Sequence, residues 1–167
     1  MSATNLVLIG FMGCGKSSVG KLVAKDSSYY FLDTDSMIES AEGQSIEKIF
    51  KTHGEAYFRQ CEKEMVIWLK SNVSGAIIST GGGMLAHCDS LNEVGKIIYL
   101  KVPFDVIISR MNDEELGKRP LFNDKEKARK MYEDRDLKYT QKADLIIDAN
   151  TSLAELVLKL SHEKTSL

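Results

Sequence analysis

The stretch "LVLIGFMGCGKSSVG", residues 6–20, decides how the chain folds. Four apolar residues are followed by three glycines in six positions, and then by a lysine and two serines. Glycine disfavours regular structure, so the cluster indicates a backbone that bends sharply or comes close to another group. Gly10 to Ser17 fits the spacing G-x-x-x-x-G-K-[ST], with an apolar strand before it and a predicted helix, "SSVGKLVAK", after it. The pattern therefore predicts a phosphate-binding loop.

The residues of this loop have separate tasks in binding a nucleotide. Glycines allow successive backbone N–H groups to point at phosphate oxygens, and the following helix presents its positive end to them. Lys16 would reach the β- and γ-phosphates of ATP, and the Ser17 hydroxyl would be a ligand of Mg²⁺. A turn that uses glycine for packing alone explains neither side chain. The predicted ATP-binding residues of the loop are Gly13, Cys14, Gly15, Lys16, Ser17 and Ser18.

Length and composition limit the function further. The 167 residues suit one domain, and a hydrophobic content of 43% is enough for a core. A net charge of -2 and a pI near 6.0 give no reason to expect nucleic acid or an anionic membrane as a partner. We therefore expect a protein with no nucleic-acid or membrane partner, and a monomer, since the sequence shows no obvious apolar patch.

Targeting and cysteine patterns indicate the compartment. The first ten residues, "MSATNLVLIG", lack the basic and long apolar regions of a secretory signal, and no apolar run approaches the length of a membrane span. Cys14, Cys61 and Cys88 are odd in number and far apart, which favours reduced thiols over disulfides or a zinc site. The sequence thus predicts a cytoplasmic protein.

Short apolar runs alternate with stretches of helical period along the chain. Such runs are typical of buried parallel strands, and their alternation with helices is typical of an α/β fold. The predicted strands are "NLVLIG" (5–10), "YYFLD" (29–33), "GAIIST" (75–80), "KIIYLKV" (96–102) and "ADLIIDA" (143–149). We therefore predict one three-layer domain over residues 1–167, in which helices flank a mostly parallel five-stranded sheet.

Two regions interrupt this alternation. About forty residues follow the second strand, enough for two or three helices, and they look like an inserted substrate-binding element at about residues 34–62. The segment "NDEELGKRPLFNDKEKARK", residues 112–130, is charged, contains Gly117 and Pro120, and lacks a helical apolar stripe. We predict a mobile lid at about residues 112–124.

A pair of acidic residues ends the second strand. The third strand, "GAIIST", does not end in the aspartate that holds Mg²⁺ in many phosphate-loop enzymes, so a carboxylate must come from elsewhere. Asp33 and Asp35 in "FLDTDS" lie two residues apart and would share a face beside the predicted loop. One acid can hold a metal-bound water while the other accepts a proton. Either residue can also cap the next helix.

Two further features favour a small-molecule site. Gly81, Gly82 and Gly83 follow the third strand and leave bare backbone N–H groups that a small ligand can touch, although a plain turn is the alternative. Arg59 and Glu62 lie three apart on a predicted helix, so the glutamate can hold the guanidinium ready for a carboxylate, the alternative being a surface ion pair. Trp68, farther along this helix, is predicted to pack against the sheet.

The sequence resembles the shikimate kinase family. The resemblance rests on five segments in the family's order, "GFMGCGKSSVG", "DTD", "GQSIEKIFKTHGEAYFR", "ISTGGG" and "KRPL". The first is specific by itself, and together they are highly specific and extend across nearly the whole chain. The resemblance implies a P-loop kinase fold and a transferase that uses ATP and Mg²⁺ to phosphorylate the 3-hydroxyl of shikimate. This reaction is a step of the shikimate pathway to chorismate and aromatic amino acids.

The resemblance also implies roles for particular residues. Asp33 would bind Mg²⁺ through water, and Asp35 would contact the reacting hydroxyl as the catalytic base. Lys16 and Arg119 would stabilise the transferring phosphoryl group, and Arg110 would lie beside the adenine, near "DANTS" after the last strand. The residues implied in shikimate binding are Asp35, Arg59, Gly81, Gly82, Gly83, Arg135, Phe50 and Phe58.

One position departs from the family pattern, and one alternative function remains. The family has R-x-P-x-Y at its second arginine, whereas "RDLKY" has Leu137 in place of proline, which leaves the turn at Arg135 less fixed. Another P-loop small-molecule kinase, such as a gluconate kinase, is the alternative, and the paired aspartates and triple glycine stand against it. A nucleoside monophosphate kinase would need more arginines than Arg59 at the acceptor, and a GTP-dependent switch would need N-K-x-D, which is absent.

Overall fold

Five parallel strands form the central layer of the protein. The computed structural model describes residues 4–111 and 120–165. The strands are β1 (Leu6–Ile9), β2 (Tyr30–Asp33), β3 (Ala76–Ser79), β4 (Lys96–Lys101) and β5 (Leu145–Asp148). They lie in the order β2-β3-β1-β4-β5, and the neighbouring strands are parallel. All five predicted strands are thus confirmed.

Helices cover both faces of this sheet. They are α1 (Lys16–Lys25), α2 (Thr34–Glu42), α3 (Ile46–Asn72), α4 (Met84–His87), α5 (Phe104–Arg110), α6 (Lys125–Lys142) and α7 (Leu153–Thr165), with 3₁₀ turns at Asp89–Glu93 and Pro120–Asn123. One core cluster joins a face of the sheet to α1, α5 and α7, and a second joins the opposite face to α3 and α4. The three-layer α/β fold is therefore as predicted. None of the described helices is both long and apolar enough to cross a membrane.

β1 lies at the centre of the sheet because it is apolar on both faces. Leu6 and Leu8 pack into one core cluster, whereas Val7 and Ile9 pack into the other. β3 and β4 pair with β1 on either side. The loop that follows β1 is therefore held at the middle of the carboxyl edge of the sheet, where ligands bind in open parallel sheets.

The predicted inserted element consists of α2 and α3. The Asp33 side chain accepts a hydrogen bond from the Ser36 N–H and caps α2, and Ser45 caps α3 in the same way. α3 bends at Gly54, whose φ of 82 and ψ of 174 lie outside the helical region. Glycine adopts such a φ at little cost. The bend divides α3, so this part of the chain contains the two or three helical pieces expected.

α6 begins inside the charged stretch of residues 112–130, directly after the predicted lid. The Asp124 side chain accepts a hydrogen bond from a first-turn N–H and caps α6, so residues 125–130 are helical although they lack an apolar stripe. Only Ala128 and Tyr139 of this helix are buried. The helix therefore contacts the core along a narrow apolar strip, which explains why its sequence shows no wide apolar face. Residues 112–119, which include most of the predicted lid, lie outside the described residues.

Asn5 fastens the amino-terminal edge of the sheet, away from the phosphate loop. Its Nδ2 donates to the carbonyl oxygens of Val73 (2.9 Å) and Val94 (2.8 Å), and its Oδ1 accepts from the N–H of Ala76 (3.0 Å). The side chain is buried, so water cannot readily replace these partners. One amide thus joins the segments that lead into β1, β3 and β4.

Replacing Asn5 should therefore destabilise the fold. We expect Asn5→Ala to lower the free energy of unfolding by about 2–4 kcal/mol, because three backbone groups, two of them in buried hydrogen bonds, lose their partner. Urea unfolding measures this change. Asn92→Ala removes an exposed amide and serves as the control, with an expected change below about 0.5 kcal/mol. Equal effects of the two substitutions would show that Asn5 does not fasten the sheet.

Candidate active site

The phosphate loop joins β1 to α1. Gly15 occupies the N-cap of α1 with a φ of 96, and it supplies no side-chain hydrogen bond to the helix. The first N–H groups of α1 therefore remain available to an anion at the positive end of the helix. The loop and the helix after it are as the sequence predicts, and their geometry suits phosphate oxygens.

Lys16 lies across this loop. Its Nζ donates to the carbonyl oxygens of Gly10 at 2.8 Å and Phe11 at 3.2 Å, and its side chain is largely buried. The Sγ of Cys14, which is also buried, lies 3.8 Å from the same nitrogen. A buried ammonium group requires close acceptors, and phosphate oxygens are stronger acceptors than carbonyl oxygens. Lys16 is therefore well placed for an anionic ligand.

Three oxygen-bearing side chains meet beside Lys16. Ser17 Oγ donates to Asp33 Oδ2 at 2.9 Å and lies 3.2 Å from Ser79 Oγ. The other oxygen of Asp33 accepts from the Ser36 N–H at 3.2 Å, so helix capping and a place in the site coexist in this residue. Hydroxyl and carboxylate oxygens are ligands that Mg²⁺ prefers. The described residues contain no cluster of three or more His, Cys, Asp or Glu side chains able to hold a metal ion.

Asp35 lies in the first turn of α2 and is mostly shielded from solvent. Its Oδ1 is buried and has no hydrogen-bond partner among residues 4–111 and 120–165. Burial is the largest cause that raises the pKa of Asp35 from 3.8 to about 6. The negative charges of Asp33 and Glu62 act in the same direction, and Lys16 opposes them. A carboxylate with this pKa and an unpaired oxygen is suited to accept a proton near neutral pH.

The glycines Gly81–Gly83 lie where three ionisable side chains converge. A Cβ on the first glycine would lie 2.5 Å from Asp35 Oδ1, and a Cβ on the third would lie 2.8 Å from a guanidinium nitrogen of Arg59. On the second glycine it would lie 3.3 Å from a guanidinium nitrogen of Arg135. Each glycine thus faces a different one of the predicted site residues, and the absence of side chains leaves the space between them open.

Arg59 is held by two carboxylates. One terminal nitrogen donates to Glu62 at 2.8 Å, and the other donates to Glu55 at 2.9 Å. The predicted pair with Glu62 is therefore confirmed, and it is not a surface pair, since the Glu62 side chain is fully buried. Burial raises the pKa of Glu62, although Arg59 acts to lower it. The guanidinium is fixed in the orientation that places it beside the third glycine.

Arg135 reaches the middle glycine from α6. Leu137, which stands where the family pattern has proline, is 61% exposed on an uninterrupted helix, and Arg135, two residues before it, lies on the same helix. Two other residues fasten this part of α6. The Tyr139 hydroxyl donates to the carbonyl of the middle glycine, and Asp136 accepts from the Tyr99 hydroxyl at 2.6 Å.

Sequence reasoning gave no role to Tyr139 or Asp136. The last letter of the pattern R-x-P-x-Y was the available signal for Tyr139. Nothing in the sequence indicates that Asp136 would meet Tyr99 on β4, because that contact depends on how α6 lies over the carboxyl edge of the sheet.

Arg110 lies at the end of α5, next to the turn after β5. Its guanidinium nitrogens donate at 3.4 Å to the Ala149 carbonyl and to Asn150 Oδ1. Both acceptors belong to "DANTS", the segment expected beside the adenine. Arg119, the other arginine expected at the nucleotide, lies outside the described residues.

A cavity of 340 Å³ joins the phosphate loop to the carboxylates. Besides loop residues, its lining includes Asp33, Asp35, Thr80 and Gly82. A larger cavity of 690 Å³ lies between β2, α2 and α3, and its lining is mainly apolar. Because the smaller cavity contains both the loop predicted to bind phosphate and the Asp35 carboxylate, it is the candidate active site.

The aromatic residues predicted near the site lie on α3. The rings of Phe50 and Phe58 are in contact, with 4.9 Å between centroids, and Phe58 lies beside the Arg59 guanidinium. The prediction that Trp68 packs against the sheet is wrong, since this side chain is 47% exposed in the larger cavity. Val66 and Leu69 occupy the inner face of α3 in its place.

Comparisons with known proteins indicate the family of this chain. The profile of the family described as shikimate kinase matches residues 12–164. A shikimate kinase of Helicobacter hepaticus is 40% identical over 156 residues, which are 93% of each chain. The crystal structure of a shikimate kinase from Aquifex aeolicus has a TM-score of 0.79 and 34% identity over 98% of each chain. The shikimate kinase of Acinetobacter baumannii in complex with shikimate has a TM-score of 0.86 and 30% identity, over 98% of this chain and 93% of that one.

Similarity to a gluconokinase extends to the fold alone. The structure from Sinorhizobium meliloti is 19% identical with a TM-score of 0.55, over 98% of this chain and 93% of that one. The two kinds of kinase share the fold, while the family profile and the relative at 40% identity separate them.

The raised pKa of Asp35 predicts that this residue destabilises the fold at neutral pH. The folded-state pKa of about 6 exceeds the ordinary value of 3.8, so ionisation of Asp35 lowers the free energy of unfolding. This loss of stability is absent below pH 3.8, grows as the pH rises, and is complete above pH 6. Asp35→Asn removes this loss. We expect the stability of the variant relative to wild type to rise by about 1–2 kcal/mol between pH 4.5 and pH 8, measured by urea unfolding.

A matched substitution controls for general effects of charge. Asp134→Asn replaces an exposed aspartate of α6 and should show the same difference from wild type at both pH values. A variant at Asp35 whose relative stability stays constant, or falls toward pH 8, would contradict the raised pKa.

Proposed function

The chain belongs to the shikimate kinase family, and from this membership we propose how its residues divide the reaction. The enzyme transfers the γ-phosphoryl group of ATP to the 3-hydroxyl of shikimate, giving shikimate 3-phosphate and ADP. One observation carries the assignment of roles. The three consecutive glycines face Asp35, Arg135 and Arg59 around one open space. In this proposal Asp35 is the base, and the two arginines bind a carboxylate.

ATP would bind over the phosphate loop. The backbone N–H groups of residues 13–18 and the Nζ of Lys16 would bind its phosphate oxygens. Lys16 now donates to two loop carbonyls, so the phosphates would replace acceptors that already lie within its reach. Arg110, which contacts Asn150 after β5, would lie beside the adenine.

The oxygen donors beside the loop fit Mg²⁺. The Ser17 hydroxyl would be a direct ligand, and Asp33, which accepts a hydrogen bond from Ser17, would hold the ion through water. When bound, the ion would neutralise charge on the β- and γ-phosphates.

Shikimate would bind against the glycines. Its carboxylate would pair with Arg59 and Arg135, and its hydroxyls would meet Asp35 and the bare backbone. Two carboxylates already neutralise Arg59, whereas Arg135 forms no salt bridge within the described part of the chain. Arg135 would therefore supply the net positive charge that the carboxylate needs. Phe58, which lies beside Arg59, and Phe50, whose ring contacts that of Phe58, would form the wall of the pocket on that side.

Asp35 would act as the general base. Its unpaired oxygen would accept the proton of the 3-hydroxyl as the phosphoryl group transfers in line from ATP. Lys16 and Arg119 would stabilise the charge on the transferring group, and closure of a lid at about residues 112–124 would bring Arg119 onto the phosphates and exclude water. The proposal for Arg119 rests on the sequence.

The wider organisation is also a proposal. Residues 1–167 would form one kinase domain, with residues 34–62 as the substrate-binding element. The protein would be a cytoplasmic monomer that binds small molecules. Its net charge of -2 gives no reason to expect a nucleic-acid or membrane partner.

A coupled assay of ADP release separates shikimate from its chief rival. Purified protein is given Mg-ATP with either shikimate or gluconate. We expect turnover with shikimate and near-background release with gluconate, because the flexible open-chain acid cannot place a carboxylate at two arginines and a hydroxyl at Asp35 without a larger entropy cost. Equal or faster turnover with gluconate would favour the alternative kinase.

The role of Asp35 predicts a selective loss of rate. Asp35→Asn keeps the shape of the side chain but cannot accept the proton, so kcat should fall by about 10²- to 10⁴-fold while the KM for ATP stays near wild type. Steady-state kinetics with shikimate measure both quantities. Asp134→Asn on the exposed face of α6 is the control and should keep wild-type turnover. Unchanged kcat in Asp35→Asn would remove this residue from the mechanism.

A further inference from the structure

Phe11 occupies an unspecified position of the phosphate-loop motif, yet its ring is 1% exposed. The Tyr132 ring packs edge-on against it with 5.4 Å between centroids, and the Phe122 ring does so at 6.3 Å. The guanidinium carbon of Arg135 lies 5.6 Å from the centroid of the same ring. Phe11 therefore connects the phosphate loop with α6 and with the 3₁₀ turn before it.

The ring of Phe11 is able to orient the guanidinium. An aromatic face attracts a cation, and the attraction is stronger where water is excluded. The edge-on neighbours restrict the ring, and Tyr132 is itself fixed by a hydrogen bond from its hydroxyl to the Val102 carbonyl at 2.9 Å. Because the fixed ring packs against the Arg135 side chain, it reduces the number of rotamers that this side chain can adopt before any ligand binds.

This form of restraint leaves Arg135 free to bind an anion. Carboxylates hold Arg59 and occupy several of its N–H groups, whereas Arg135 has no salt bridge among residues 4–111 and 120–165. An aromatic contact neither neutralises a guanidinium nor uses its N–H donors, which lie at the edge of its plane. The Phe11 ring can thus orient the Arg135 guanidinium without neutralising its positive charge, as a carboxylate would.

We propose that Phe11 is a positioning residue for shikimate binding, whose ring orients Arg135 beside Gly82 so that its N–H groups meet the acceptor's carboxylate. This inference rests on the proposed function of Arg135. It gives the phosphate loop a second task, because the Phe11 carbonyl accepts from Lys16 at 3.2 Å while its side chain supports the acceptor site.

Phe11→Leu tests the proposal by removing the ring and keeping an apolar side chain. Titration calorimetry without nucleotide should show shikimate binding about 5- to 30-fold more weakly, the loss expected for a desolvated cation–π contact. The KM for ATP should stay within about twofold, since the loop backbone is unchanged. Should Phe11→Leu fail to fold, Phe11→Met makes the same test, because its flexible unbranched side chain fits irregular gaps in a core.

Phe104→Leu is the matched control. Phe104 is also buried and also contacts Tyr132, but the cation over its ring is Arg129, which pairs with Asp105. Its replacement should leave shikimate affinity within about twofold of wild type. Equal weakening by the Phe11 and Phe104 variants, or a rise in the KM for ATP alone, would overturn the proposal.

Arg135→Ala separates this inference from the proposed function beneath it. If Phe11 acts through Arg135, adding Phe11→Leu to Arg135→Ala should weaken shikimate binding no further. The same fold-loss in both backgrounds would overturn the inference and leave the role of Arg135 intact. Unchanged shikimate affinity in Arg135→Ala alone would overturn the proposed function of Arg135, and the inference with it.

Discussion

The bare backbone of Gly81–Gly83 is the constraint on which the site depends. Any side chain on the first or third glycine would collide with Asp35 or Arg59, so the three ionisable groups can approach one another only across glycine. The strand order supplies the setting, because β3 lies between β1, which leads to the phosphate loop, and β2, which leads to Asp35. In our proposal the nucleotide phosphates and the acceptor hydroxyl therefore meet at the ends of β1 and β2, on either side of β3 in one sheet.

The crowding of charge follows from this arrangement and has a cost. Asp35 shares a poorly solvated space with other carboxylates, which raises its pKa to about 6 and makes its ionised form unfavourable for folding. The same condition makes it a better proton acceptor than an ordinary aspartate at neutral pH. Lys16 and Arg135 offset part of the negative charge, and in our proposal both bind anionic parts of the substrates. Binding of anionic ligands at these cations would therefore add to the stability of the folded protein.

Much of the fold and part of the site could be predicted from the sequence because their signals are local. Buried parallel strands are continuous apolar runs, and the glycines and lysine of the phosphate loop have a fixed spacing. Both can therefore be recognised from the order of residues alone. The pair of Arg59 with Glu62 follows from helical spacing in the same way. The contacts of Phe11 and Asp136 could not be predicted, since they join segments more than thirty residues apart through the packing of α6. Trp68 was placed wrongly because its stretch of α3 is apolar on more than one face.

The affinity of Gly83→Ala for shikimate tests the central claim most directly. The backbone at this glycine, with φ -104 and ψ -14, suits alanine, so the fold should be retained with a melting temperature close to that of wild type. The added Cβ would lie 2.8 Å from a guanidinium nitrogen of Arg59 and force that side chain to move. Titration calorimetry should then show shikimate binding at least about tenfold more weakly. Wild-type affinity in a folded Gly83→Ala protein would contradict the account.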